Sequence, residues 1–172
     1  VESDGTQAVN TGYFANPGTK VVIDYMLLDT TTLQQRLFGS NRGLIFQHYV
    51  NGSKGLSFAL QDGTGDWTAF SPQYMAAEER HVFTLDAVTR TATIVKDGVQ
   101  VATRTTSAQV NVSSDFPLTL LADGNNALGT AFSDQKAKAR LYSCQIYDHD
   151  ELVRDFRPCL VDGRYALKDE AR

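Results

Sequence analysis

The chain has 172 residues but only two cysteines, two methionines, four prolines and one tryptophan. Two cysteines cannot form a disulfide framework, and a chain this long can build a core without one. They also leave the redox compartment open. No stretch approaches the roughly 18 apolar residues of a membrane span, so membrane insertion is not expected. Nor does any charged segment lead into an apolar run in the manner of a signal peptide. The chain opens on Val1, which reads as an excised or processed piece of a larger protein. Its net charge of −4 supplies no basic footprint, so nucleic acid is not an expected partner. Glutamate is scarce as well, at 5 residues against 15 aspartates. Glu suits helix interiors and Asp suits turns and caps, so the imbalance argues against a helical protein.

Catalytic signatures are equally sparse. Serine hydrolysis needs a nucleophile on a strained turn with a histidine base, and no G-x-S-x-G occurs. His48, His81 and His149 belong to no recognisable triad motif. Zinc chemistry calls for H-E-x-x-H or a compact Cys/His cluster, and Cys144, His149 and Cys159 match no such spacing. Neither a P-loop nor a G-x-G-x-x-G fingerprint is present. Glycoside hydrolysis requires two carboxylates ~5–9.5 Å apart, conveniently placed at alternate positions of one strand. No E-x-D or E-x-E is expected within a strand, since Glu2, Glu151 and Glu170 lie near the ends or in a turn, and Glu78 and Glu79 are adjacent and so diverge.

What is abundant is β-forming. There are 17 Thr, 14 Val and 13 Gly, a composition of strands joined by tight turns. Thr91–Lys96 and Val99–Thr103 flank Asp97-Gly98, which predicts a hairpin with a two-residue type I′ turn. That register sets Ile94 opposite Val101 and Ala92 opposite Thr103. A second hairpin is expected at 51–55, joining Leu44–Val50 to Leu56–Leu60, with Leu56, Phe58 and Leu60 on one face and Ser57 and Ala59 on the other. Further strands are expected at Val21–Leu28, His81–Ala87, Leu118–Ala122, Ala139–Tyr147 and Leu152–Phe156, with Tyr142, Cys144 and Ile146 on the core face. Helical turns are expected only at Tyr74–Arg80 and Asp134–Ala139. With no repeat or linker, residues 1–172 read as one all-β domain of ten to thirteen strands, a two-sheet antiparallel β-sandwich or jelly roll. Folding Leu152–Phe156 back on Ser143–Tyr147 sets Cys144 near Asp155 or Phe156. Cys159 then lies too far off for a bridge unless the chain bends at Pro158, and a buried Cys144 acting as a small hydrophobe is the favoured reading.

Two loops carry the candidate binding residues. Segment 61–74 combines glycine turns, Asp62 and Asp66 with Trp67, Phe70 and Tyr74. A sugar needs a flat aromatic face for its apolar side and polar groups for its hydroxyls, which makes Trp67 and Tyr74 candidate contacts. A plainer reading has equal standing: Trp67 and Phe70 anchor a short strand in the core. The second loop is Asp123-Gly124-Asn125-Asn126, whose oxygens suit a sugar or Ca²⁺. An EF-hand frame fails there, since Ala127 and Asp134 occupy ligand positions, and an ordinary glycine turn is the stronger reading. Arg36 and Arg42 are most simply solvated, although an acidic sugar would suit them.

Arg80–Asp86 followed by Ala92–Val101 resembles a hallmark of laminin-G-like domains of the concanavalin A-like lectin/glucanase superfamily. Pro117–Ala122 followed by Ala139–Tyr147 is similar to the strands that close such a domain. Asp4–Tyr13 and Leu152–Cys159 resemble the ends of a subgroup found in bacterial surface and phage-associated proteins. The resemblance implies a jelly roll serving adhesion or carbohydrate binding outside the cell or at its surface. Glucanase members carry E-x-D-x-x-E, which this chain lacks. Many members bind Ca²⁺ at the rim, but no ligand set can be matched here residue by residue. The leading expectation is therefore a non-catalytic, lectin-like module that recognises a glycan or cell-surface glycoconjugate. Its candidate residues are Trp67, Tyr74, Asp62, Asp66, Asn125 and Asn126. A structural, assembly or protein-binding domain of a surface or fibre protein is the alternative, and a divergent glycoside hydrolase comes third.

Overall fold

A computed structural model describes residues 1–32, 34–40, 44–49, 55–60, 67–71, 74, 77–107, 112, 116–123 and 136–172. Its strands are β1 (Glu2–Asp4), β2 (Val9–Phe14), β3 (Thr19–Leu27), β4 (Gln34–Ser40), β5 (Leu44–Tyr49), β6 (Gly55–Ala59), β7 (Thr68–Ala69), β8 (Arg80–Asp86), β9 (Thr91–Lys96), β10 (Val99–Thr105), β11 (Pro117–Leu120), β12 (Lys138–Asp148), β13 (Glu151–Val161) and β14 (Arg164–Asp169). They form two antiparallel sheets. One runs β10-β9-β8-β3-β12-β13-β14 with β1 also on β12, and the other runs β2-β11-β4-β5-β6-β7. The expected all-β sandwich is the observed one, but β1 does carry an E-x-D within a strand, with Glu2 paired to Arg140 and Asp4 accepting from Thr6. No α-helix occurs among the described residues. Tyr74 closes a single turn onto the Ser71 carbonyl, and Glu78 adopts φ 63°, which no right-handed helix accommodates. The other expected helical segment is extended where described, with Lys136 bridging Arg36 and Lys138 opening β12.

The sheets face each other through alternating apolar residues. Val21, Ile23, Tyr25 and Leu27 of β3, with Phe83 and Leu85 of β8, meet Phe38 of β4, Leu44 and Phe46 of β5, and Leu56 and Phe58 of β6. The Phe46 and Phe83 rings stack 3.5 Å apart at 3°, one from each sheet. Phe38 lies 5.7 Å from Phe46, and Phe70 meets Phe83 edge-on at 6.1 Å. Phe70 is therefore a core anchor, as the plainer reading of its loop has it.

Three irregularities move side chains from their expected places. Asp97 and Gly98 have φ of 51° and 77°, as a type I′ turn requires, and β9 pairs with β10 as expected. A bulge between Gln100 and Ala102 then shifts the register, so Ile94 faces Ala102 rather than Val101 and Ala92 faces Arg104 rather than Thr103. The extra residue lets Val101 and Ala102 both pack against the core. A second bulge, between Leu141 and Ser143 in β12, inverts the alternation. Leu141, Cys144 and Ile146 point inward, whereas Tyr142 points outward, its ring under the Arg80 guanidinium at 4.1 Å. The third, between Arg36 and Phe38, shapes the site described below. The hairpin β5–β6 pairs as expected, and its turn lies outside the described residues.

Strand β12 returns through a tight turn at His149 and Asp150, which pairs Cys144 with Phe156. Cys144 and Cys159 are both free thiols. Cys144 is buried, and that burial pushes its thiol far above the usual range. Cys159 lies half-buried beyond Pro158, with its sulfur 3.6 Å from the Ala166 carbonyl oxygen. A thiol reagent should modify one cysteine, Cys159, in native protein and the second only after unfolding. Removing the stacked ring by Phe83→Ala should cost about 3–5 kcal/mol in urea unfolding, because the sheets lose their shared aromatic contact and leave a cavity.

Candidate functional site

The six-stranded sheet has a second face, directed away from the core. Alternation in β5 sends Leu44 and Phe46 inward and Ile45 and Gln47 outward, and in β6 it sends Ser57 and Ala59 outward. In β4 the bulge lets consecutive Leu37 and Phe38 both enter the core and sets Arg36 beside Gln47 on the outer face. The result is a row of polar side chains across three strands, of which Gln47 and Ser57 are themselves buried and Gln34 half-buried. Gln34 Nε2 donates to Gln47 Oε1 at 2.8 Å, and Gln47 Nε2 donates to Ser57 Oγ at 3.2 Å.

Arg36 is the centre of this face. Its guanidinium carbon lies 5.1 Å from the centroid of the Trp67 ring, within cation–π range, and its Nε is 4.0 Å from Asp123 Oδ2. Trp67 is half-buried and lies just ahead of β7. Arg36 is only 8% exposed and Asp123 only 1%. The expectation that Arg36 is solvated is thus overturned, because the β4 bulge and the chain after β11 enclose it.

Asp123 reaches this position through a strained backbone. Leu121 follows β11 with φ 62°, its N–H bonded to the Leu37 carbonyl and its own carbonyl accepting from Ala137. A left-handed leucine costs of order 1 kcal/mol and persists because these two bonds fix it. The Asp123 carboxylate then lies against β4 where Gly39 has no side chain. A Cβ at Gly39 would sit 2.7 Å from Asp123 Oδ1. That oxygen is buried and has no hydrogen-bond partner among the described residues. Burial pushes the Asp123 carboxyl up to about 6, against the opposing pull of Arg36. Burial likewise lowers the Arg36 guanidinium, against the pull of Asp123.

Of the six candidate residues, Trp67 lies on this face. Tyr74 packs against the core, and its hydroxyl donates to the Val101 carbonyl of β10 at 2.9 Å. Asp62, Asp66, Asn125 and Asn126 lie outside the described residues, as does Arg42. Gln34, Gln47 and Ser57 were missed from the sequence, although the alternation in β5 and β6 already set the last two opposite the apolar positions. Among the described residues no three His, Cys, Asp or Glu side chains converge. Asp123 itself faces a guanidinium, and the rest of its loop lies outside the described residues.

A laminin-G-like family model of the concanavalin A-like lectin/glucanase superfamily matches residues 25–150. The chain belongs to that family. No curated protein sequence matches it. Among solved structures, the NanB sialidase of Streptococcus pneumoniae is similar, with a TM-score of 0.56 and 18% identity, over 89% of this chain and 26% of the sialidase. The extracellular region of zebrafish Gpr126/Adgrg6 gives a TM-score of 0.56 at 13% identity, over 99% of this chain and 24% of that one. A heptameric SAP-like pentraxin from Limulus polyphemus gives 0.53 at 12% identity, over 85% and 68%. At these identities the likeness is one of fold. The laminin-G-like chain spans about a quarter of the sialidase and of the zebrafish receptor region. Its fold is lectin-like.

The tryptophan is the only one in the chain, so its fluorescence reports on this face. The Asp123 carboxyl rises from an ordinary 3.8 to about 6 on folding. Its contribution is therefore most favourable below about pH 4 and declines as pH rises through about 6, where the buried group must ionise. Trp67 emission should titrate with a midpoint near pH 6, as Arg36 gains or loses its counter-charge. In Asp123→Asn that transition should vanish while the far-ultraviolet dichroism is kept.

Proposed function

We propose that this laminin-G-like domain is a non-catalytic glycan-binding module that acts through the outer face of its six-stranded sheet. The observation that carries the proposal is the Arg36 guanidinium set between the half-buried Trp67 ring and the Asp123 carboxylate, beside the Gln34–Gln47–Ser57 row. An indole supplies the flat apolar surface that the less polar side of a pyranose covers. Gln34, half-buried at the end of the row, supplies an amide for the sugar's hydroxyls, while the buried Gln47, Ser57, Arg36 and Asp123 hold that surface in place. The carboxylate is turned toward Arg36, so its task is to hold the guanidinium in place rather than to transfer protons. On this reading the domain is carried by a larger protein at a cell surface or on a particle. Weak single-site binding is then strengthened by copy number.

The alternative, an assembly domain, draws on a different surface. Leu160, Val161 and Tyr165 are exposed on β13 and β14 of the other sheet.

A glycan array probed with folded domain tests the proposal. Glycans bound by the wild type should lose about tenfold or more in affinity in Trp67→Ala and in Arg36→Ala, equivalent to about 1.4 kcal/mol, while Val88→Ala, at an exposed turn residue, binds unchanged. Equal binding by wild type and Trp67→Ala on every positive glycan overturns the site. A blank array with folded protein overturns the function and favours the assembly reading.

A further inference from the structure

The hairpin β13–β14 is held to the rest of the molecule along only part of its length. β13 pairs with β12 from Glu151 to Phe156 and no further. Two residues on stands Pro158, which has no N–H to donate. Phe156 faces β12 with its backbone groups, so by strand alternation Pro158 faces the same way, and the ladder to β12 ends there. The edge of β12 beyond this point is taken by β1, which pairs with 138–140. From Arg157 to Val161, β13 is paired with β14 alone. This two-stranded ribbon carries Leu160 at 65%, Val161 at 53% and Tyr165 at 80% exposure, and Leu160 and Tyr165 lie directly opposite each other.

β14 is the last strand of the eight-stranded sheet. The Glu170 N–H bonds back to the Asp155 carbonyl. By alternation, residues 164, 166 and 168 then turn their backbone groups toward β13, while Tyr165, Leu167 and Asp169 turn theirs outward. An edge of this kind is a template for another strand unless charge or a bulge blunts it. Here the charges are arranged to complement themselves.

We propose that β14 is a homodimer edge, with two copies pairing antiparallel through β14 and joining their eight-stranded sheets into one. A twofold axis normal to the sheet keeps side chains of opposed residues on one face, which restricts the register to a few choices. The register centred on Leu167 sets Leu167 against the partner's Leu167, Tyr165 against the partner's Asp169 and Arg164 against the partner's Glu170. The register centred on Ala166 would instead oppose Arg164 and Lys168, two like charges. Arg164 has no ion pair within the chain among the described residues, whereas Glu170 already receives Lys168 at 3.0 Å. The partner's Arg164 would join that pair across the new ladder, while the Asp169 carboxylate stays turned inward on the Asp155 N–H and Arg154.

Sedimentation velocity on the 172-residue chain from ~1 to ~200 μM, together with the charge-swap set, tests this. The wild type should populate a dimer that dissociates on dilution. Arg164→Glu and Glu170→Arg should each weaken it by about tenfold or more, since each opposes like charges, and the double variant should return to within about threefold of wild type. Both residues lie at the surface, and thermal melts should confirm that every variant stays folded. A wild type that is monomeric at the highest concentration overturns the proposal. So does a dimer indifferent to either single change, or a double variant no tighter than the singles.

Discussion

The contact on which the architecture depends is the stack of Phe46 on Phe83. The two rings come from different sheets and lie nearly parallel, and Phe38, Phe70 and Tyr25 close around them. A sandwich of this kind has no covalent tie between its layers, because both cysteines are thiols. Registration of one sheet over the other therefore falls to interlocked side chains of fixed shape. Fixing the inward face of β5 also decides the outward one. With Phe46 committed to Phe83, Gln47 has to face away, and the polar row on the outer face follows from the aromatic stack beneath it.

The outer face has a character that stability alone does not explain. A carboxylate beside a guanidinium at 4.0 Å, both nearly sealed from water, recovers less in attraction than it loses in hydration. A left-handed leucine and a glycine with no room for a methyl group hold the arrangement together. On the proposed reading, strain and desolvation concentrated at one place keep a recognition surface in order before its ligand arrives.

Much of the fold could be read from the residues because the signals were local. The Asp97-Gly98 turn and the alternation of Leu56, Phe58 and Leu60 each specify their own geometry. Bulges were not legible, because an inserted residue in a strand has no composition of its own. Tyr142 keeps the spacing of a core residue and is turned outward only by the partner register. The Asp162-Gly163 turn carries the same signature as Asp97-Gly98, with φ of 50° and 74°, and β14 was legible there but went unread. The candidate site was half visible. Trp67 stood out as a lone indole among turn formers, but Arg36 resembled any surface arginine. Its partners come from β7 and from the end of β11, far along the chain, and only the tertiary fold brings them together.

The position of β12 in its sheet has a consequence for how the chain reaches this structure. β12 lies between β3 and β13, and Tyr142 meets Met26 across 116 residues of sequence. The local hairpins β4–β5, β8–β9 and β9–β10 can close early, each at small entropic cost. Sealing the larger sheet must wait for a strand that follows β3 by more than a hundred residues. Until then the apolar side of β3 and the free edge beside it stay open to other chains. This is a slow, high-contact-order closure, and its window of exposure is set by topology rather than by the strength of any contact.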